Sequence, residues 1–229
     1  SSGTWDEQDK GSSGRRVRLS SAGGHLLVHH AWTKSLEYIA YNRRFEYRVF
    51  DVASGEYGEA VFFPEYGVVA GYLDLATTGD NRAVIGGHQL KTIYSSSIVP
   101  FAYWQDSALG DTFPVCSRPP DSVIFYAVSR ARSLLWTRMA YAEGPYDTVL
   151  HMVAQKDLEI DDPCPLYYLR RVGAGPDSAA SWDYPPFIVD TMYAWGVHQI
   201  VADDAGRVAI AWAADVPCPG DPDTLSGVG

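Results

Sequence analysis

Lysine is scarce in this chain. Of its 18 cationic side chains only 4 are Lys, and 28 Asp and Glu leave a formal net charge of −10. A chain so acidic lacks the basic footprint that selects nucleic acid or an anionic membrane surface. Such a balance serves solubility. Cysteine is rarer still, at 3 residues. No CxxC or paired Cys/His spacing occurs, so the sequence offers no zinc site. No apolar run approaches the ~20 residues that a spanning helix needs. There is no initiator Met and no charged-then-apolar leader, which leads us to expect a chain matured by cleavage or cut from a longer one. GxSxG, P-loop, dinucleotide and haem-attachment signatures are also missing, and we expect no cofactor.

What the chain has is aromatic and turn-forming residues. It carries 15 Tyr, 7 Trp and 8 Phe, with 21 Gly and 14 Pro spread along its 229 residues. Aromatic side chains fit a pleated, half-buried surface, and Gly and Pro mark the turns between strands. Residues 1–14 are polar and Gly/Ser-rich and read as a flexible arm, leaving 15–229 as one domain.

Val197 to Ala214 is the clearest local unit. Val208, Ile210 and Trp212 alternate with Ala209, Ala211 and Ala213, and Asp203-Asp204-Ala205-Gly206 precedes them. Alternation with period two followed back through a glycine turn describes a β-hairpin with one bulky and one small face. Looser copies occupy 16–32, 71–88 and 136–154. Further strand candidates follow at 36–41, 46–50, 94–104 and 165–171. The first residues after the four turns are His25, Arg82, Thr148 and Arg207, so the repeat is about sixty residues long. No stretch shows a capped 3.6-residue stripe, and no long helix is expected.

Small antiparallel sheets that repeat must bury their faces against one another. The expected architecture is all-β and β-propeller-like, with a β-sandwich as the alternative. About three and a half blades fall within the chain, whereas closed propellers usually have 4–8. The ring is therefore expected to be incomplete, with an open edge at 207–213 that templates pairing with another strand.

The Asp-x-x-Gly turn and the apolar strand ending in Trp at 200–212 resemble the blade hairpin of secreted bacterial propellers with sialidase-type repeats. That resemblance implies a blade and an extracellular setting, and assigns no catalytic residue. The Asp-box pattern Ser-x-Asp-x-Gly-x-x-Trp is not met, because the leading Ser is missing and Trp212 falls too late.

Candidate chemistry is dispersed. Tyr103, Trp104, Trp182, Tyr184 and Trp195 lie near loops rich in Pro, Asp and Ser, where rings stack on sugars. His25, His29, His30, His88 and His151 fall on second strands and His198 on a first strand. Hydrogen-bonded structural roles account for them better than a metal does. A glycosidase needs two carboxylates across the bound sugar; Asp74, Asp203 and Asp204 are the candidates, though the last two also suit a turn. The pairs Arg15-Arg16, Arg43-Arg44 and Arg170-Arg171 cannot act as single forks, since neighbours on a strand face opposite ways. Cys164 and Cys218 share a Pro-Cys-Pro context, and both a disulfide between them and reduced thiols fit.

The expected function is an exported, non-enzymatic module that binds protein or glycan, or assembles with itself, through its open edge. A glycan-active hydrolase or lyase with its site at the propeller mouth is the alternative.

Overall fold

A computed structural model describes residues 14–34, 43–64, 67–92, 97–123, 133–143, 148–156, 164–173, 181–192 and 198–213. Residues 1–13 of the expected arm at 1–14, the strand candidate at 36–41, Trp195 and Cys218 lie outside them.

Four antiparallel sheets follow one another along the chain. The first joins β1 (Val17–Ala22), β2 (His25–Lys34), β3 (Arg44–Asp51) and β4 (Glu56–Tyr57), with β5 (Val61–Phe63) also on β3. The second joins β6 (Ala70–Thr77), β7 (Ala83–Leu90), β8 (Ile98–Trp104) and β9 (Val115–Ser117). The third joins β10 (Leu134–Glu143), β11 (Thr148–Lys156), β12 (Cys164–Val172) and β13 (Ser181–Trp182), with β14 (Phe187–Met192) also on β12. The fourth is the hairpin of β15 (His198–Ala202) and β16 (Val208–Trp212). The four leading hairpins are those expected from the sequence. Strands β3, β8 and β12 fall on the candidates at 46–50, 94–104 and 165–171. In contrast, β4, β5, β9 and β13 have only two or three residues each, too few for alternation to stand out.

The turns use the residues that turns require. Asn81 and Gly206 take positive φ of 67° and 75°, which Asn and Gly tolerate best. Asp203 accepts hydrogen bonds from the Ala205 and Arg207 amides, at 3.0 and 2.9 Å, and Arg207 pairs with its carboxylate. It is a turn residue.

The sheets stack face to face in chain order, and each neighbouring pair shares a core. Leu27, Phe45 and Tyr47 of the first sheet meet Leu75, Ile85 and Phe101 of the second. Val84 and Trp104 meet Met139, Leu150 and Leu169 of the third. Ala140, Val153 and Leu166 meet Ile200 of the fourth, with Val208 and Ile210 packed on them. The middle strands β7 and β11 are buried almost throughout, as strands covered on both faces are. Burying each such Leu, Ile or Phe contributes roughly 1.5–3 kcal/mol. Val208 and Ile210 of the last hairpin thus face inward, while Trp212 at its end and Ala209 and Ala211 are exposed.

The result is an all-β, propeller-like stack in which no sheet closes on itself. Strands β1, β6, β10 and β15 begin their sheets, and β6 packs against both β1 and β10, as β10 does against β15. These first strands line one edge of the stack and carry the groups that follow. Among the described residues β16 pairs only with β15.

Candidate functional site

The first strands of the second and third sheets are each interrupted at the same place. On β6 the register breaks between Gly71, opposite His88, and Asp74, opposite Gly86. On β10 it breaks between Leu135, opposite Gln155, and Arg138, opposite Val153. Each strand thus places two residues against one, which is a β-bulge, a device concentrated next to functional sites. The first extra residue is Tyr72 in one case and Trp136 in the other, with φ of 59° and 49°. Left-handed backbone costs an aromatic residue of order 1–3 kcal/mol and persists only where its surroundings enforce it. Two aromatic residues at matched positions are held this way.

The rings converge. Tyr72 lies edge-on to Trp136, with centroids 6.3 Å apart, and 4.7 Å from His88. The Trp136 amide donates to His88 Nδ1 at 2.9 Å, so the neutral ring carries its proton on Nε2. Burial holds His88 far below the ordinary imidazole range, and the nearby Arg43 and Arg138 push it the same way. His198, at the start of β15, donates from Nε2 to the Trp136 carbonyl at 2.7 Å. Among the described residues its Nδ1 lone pair has no hydrogen-bond partner. Burial first, and then Arg138, lower its pKa to about 4. Trp136 is therefore gripped on both sides of its peptide by imidazoles from neighbouring sheets.

Arg138 is 1% exposed and donates to the Tyr72 and Thr137 carbonyls. Burial lowers its pKa to about 10, which leaves it cationic at neutral pH. The Arg43 carbonyl accepts from the Ala70 amide at 3.0 Å, which brings the first sheet to the same end of β6. The cluster therefore gathers aromatic rings, neutral imidazoles and two cations from all four sheets.

One residue further along lies an ion pair. Asp74 is wholly buried and accepts from Arg15 Nε at 2.9 Å, Arg15 Nη2 at 3.1 Å, the Arg15 amide at 3.0 Å and the Met139 amide at 2.9 Å. Arg15 also donates to the Met139 carbonyl. Four donors saturate this carboxylate, so Asp74 joins three sheets and is not placed to work on a sugar. Beyond it a cavity of about 530 Å³ opens among Arg15, Arg18, Thr77, Tyr141, Ala140 and Ala202.

The remaining sequence candidates lie elsewhere. Trp104 is 1% exposed under the Arg171 guanidinium, 4.9 Å from the ring. Tyr103 is buried and donates to Gln89 Oε1 at 3.1 Å. Trp182 packs against the same core as Trp104, and Tyr184 is 62% exposed. None of these lies on β6 or β10, the strands that carry Tyr72 and Trp136. The arginine pairs split as strand geometry demands: Arg44 binds the Phe62 and Pro64 carbonyls while Arg43 lies beside Gly71. His29 is bound between Ser20 and Tyr47, and His151 is bound to Tyr168. Among the described residues no group of His, Cys, Asp or Glu could hold a metal ion, and no helix is long and apolar enough to cross a membrane.

The fold defines a class, an all-β protein of serially stacked antiparallel sheets. No known family matches the chain, and no curated protein matches it. Among solved structures it is similar to the polysaccharide lyase Uly1, with a TM-score of 0.49 and 13% identity over 87% of this chain and 47% of that one. It is also similar to an alpha-L-arabinofuranosidase from Lactobacillus brevis, with a TM-score of 0.47 and 12% identity over 90% of this chain and 67% of that one. The chain spans about half the length of the lyase.

Proposed function

We propose that the chain acts on an acidic glycan, with its site at Tyr72, His88, Trp136, Arg138 and His198. The observation that carries this reading is the pair of strained aromatic residues, Tyr72 and Trp136, held around one buried neutral imidazole. Strain stored at matched bulges favours a precise constellation over stability. Aromatic faces suit the C–H faces of a sugar ring, and Arg43 and Arg138 supply positive charge for its carboxylate. Elimination beside a carboxylate needs a cation to stabilise the developing negative charge and neutral groups that donate and accept protons. His88, with its proton on Nε2, is a donor of that kind, and His198 offers a lone pair at Nδ1. We therefore favour lyase chemistry over hydrolysis.

The test is to incubate the folded chain with acidic and neutral polysaccharides and follow the ultraviolet absorbance of an unsaturated uronate product. Turnover of an acidic polymer that falls roughly 10²–10⁴-fold in His88→Asn is expected. A folded chain that neither binds nor cleaves any acidic polymer overturns the proposal.

A second reading is favoured by the outer edge of β16. Trp212 is part-exposed at its end, with its indole donating to Asp190 Oδ2 at 2.6 Å, and Val201 is exposed on the other face of the hairpin, opposite Ala209. Pairing through this edge suits an exported module that binds a partner or itself. A concentration-dependent increase in sedimentation coefficient, abolished by Ala211→Pro, is the outcome that supports it.

A further inference from the structure

The first strands have two ends. Tyr72, Trp136 and His198 stand near the starts of β6, β10 and β15, and Thr77, Tyr141 and Ala202 lie near their far ends, on the cavity. Five residues of strand separate Tyr72 from Thr77, a distance of roughly 16 Å. The cavity is thus a place apart from the aromatic cluster, reached along the same strands.

Its electrostatics are unusual for a chain of net charge −10. Arg15, Arg18 and Arg138 all act electrostatically in the neighbourhood of one buried carboxylate, Asp74. Glu143, bound to the Gly79 amide and to the Tyr141 hydroxyl, and the Asp80–Arg82 ion pair lie on the Tyr141 side of the cavity. Of these charged groups, Arg15 and Arg18 line the cavity itself. Asp74 already saturates Nε and Nη2 of Arg15. Arg18 differs: its Nε is fixed on the Leu75 carbonyl at 3.2 Å, and its terminal nitrogens make no hydrogen bond to the described residues. A guanidinium oriented by one nitrogen and open at the other two is set for a bidentate oxyanion. Ala140 and Ala202 leave room beside it, and Val17 and Leu19 line the same cavity as exposed apolar side chains. Together they suit a ligand with one charged group and one C–H face.

We propose that this cavity is a second saccharide subsite, in which Arg18 binds the carboxylate of an acidic sugar. It rests on the reading of the chain as a protein for acidic glycans, and adds that a polymer is held at both ends of the first strands.

The experiment titrates the folded chain with glucuronate, glucose and inorganic sulfate, following binding by heat or by chemical shift. Glucuronate is expected to bind and glucose is not. Arg18→Ala is expected to weaken the Arg18-dependent component at least tenfold, and Arg18→Lys less. Ala202→Leu, which fills the cavity without touching Arg18, is expected to weaken it too, and guards against a misfolded Arg18 variant. Binding at the aromatic cluster would survive Arg18→Ala and vanish in His88→Asn, so the two sites are told apart. Glucuronate affinity unchanged in both cavity variants overturns the subsite, and sulfate bound as tightly as glucuronate overturns its assignment to a sugar. If no polymer is cleaved but Arg18→Ala still abolishes glucuronate binding, the catalytic reading falls and the subsite stands.

Discussion

Tyr72 and Trp136 occupy the same place in successive sheets: each is the extra residue of a bulge on a first strand, and each has positive φ. The backbone strain at Tyr72 can be separated from its side-chain contacts by two substitutions. Tyr72→Ala removes the ring and keeps a β-carbon in the left-handed region, whereas Tyr72→Gly removes both. Tyr72→Gly should therefore be the more stable of the two by about 1–2 kcal/mol, the reverse of the usual order in a strand. Urea denaturation checks this. An alanine variant as stable as the glycine one would mean that the bulge relaxes and stores no strain.

The Asp74 carboxylate is the pin between the N-terminal segment and two sheets. Arg15 reaches it from 59 residues away, and the Met139 amide from 65. Asp74→Ala leaves the Arg15 guanidinium and a buried amide without their acceptor. The expected loss is roughly 3–5 kcal/mol, the range for breaking one side of a buried pair. The double variant Asp74→Ala/Arg15→Ala should recover part of it, because the orphaned charge is then gone. A double variant whose loss equals the sum of the losses of Asp74→Ala and Arg15→Ala alone would show that the pair is not coupled.

How much of this was legible follows from the range of each interaction. The four leading hairpins could be read because alternation and turn residues are local signals, and β2 and the hairpin at 197–214 carry both within twenty residues. The stacking order followed from the repeat. The aromatic cluster could not be read, since Tyr72 and Trp136 look like ordinary strand residues until two register shifts are known. A Gly-Gly-His run at 86–88 opposite an aromatic was the available hint. Tyr103 and Trp104, close to a polar loop in sequence, face opposite sides of the second sheet, Tyr103 covered by the first sheet and Trp104 by the third.

Two adjacent glycines set how closely the second sheet is approached. A β-carbon on Gly86 would lie 2.7 Å from Met139 Sδ and 3.2 Å from the Phe101 carbonyl oxygen. On Gly87 it would lie 2.9 Å from the Gly71 carbonyl oxygen and 3.1 Å from that of Tyr72. The first contact can be eased by a flexible thioether. The second meets backbone on the bulge itself. Both Gly86→Ala and Gly87→Ala should destabilise by about 1–3 kcal/mol. Only Gly87→Ala should also displace Tyr72 and lower turnover of an acidic glycan. A change in activity confined to Gly86→Ala would contradict that assignment.

Stability should also depend on pH through the buried histidines. Burial lowers His29, His151 and His198 to about 4, and His88 well below its ordinary value. In the unfolded chain each titrates near 6.5. Between those values the unfolded state binds more protons than the folded one, so folding stability is fully present above pH 6.5 and is lost as pH falls toward 4. Each histidine contributes a slope of up to about 1.4 kcal/mol per pH unit in that window. The lowered aspartates, Asp51, Asp80, Asp121 and Asp203, act in the same direction, but only as pH falls through the carboxylate range. A fall in the urea midpoint between pH 6.5 and 5 is therefore a histidine signal. Replacing His198 by Gln, whose amide can still donate to the Trp136 carbonyl, should flatten it by one group's share. A midpoint that stays level from pH 7 to 5 would mean that the imidazoles are reached by water or repacked on protonation, and that the grip on Trp136 is looser than its 2.7 and 2.9 Å hydrogen bonds imply.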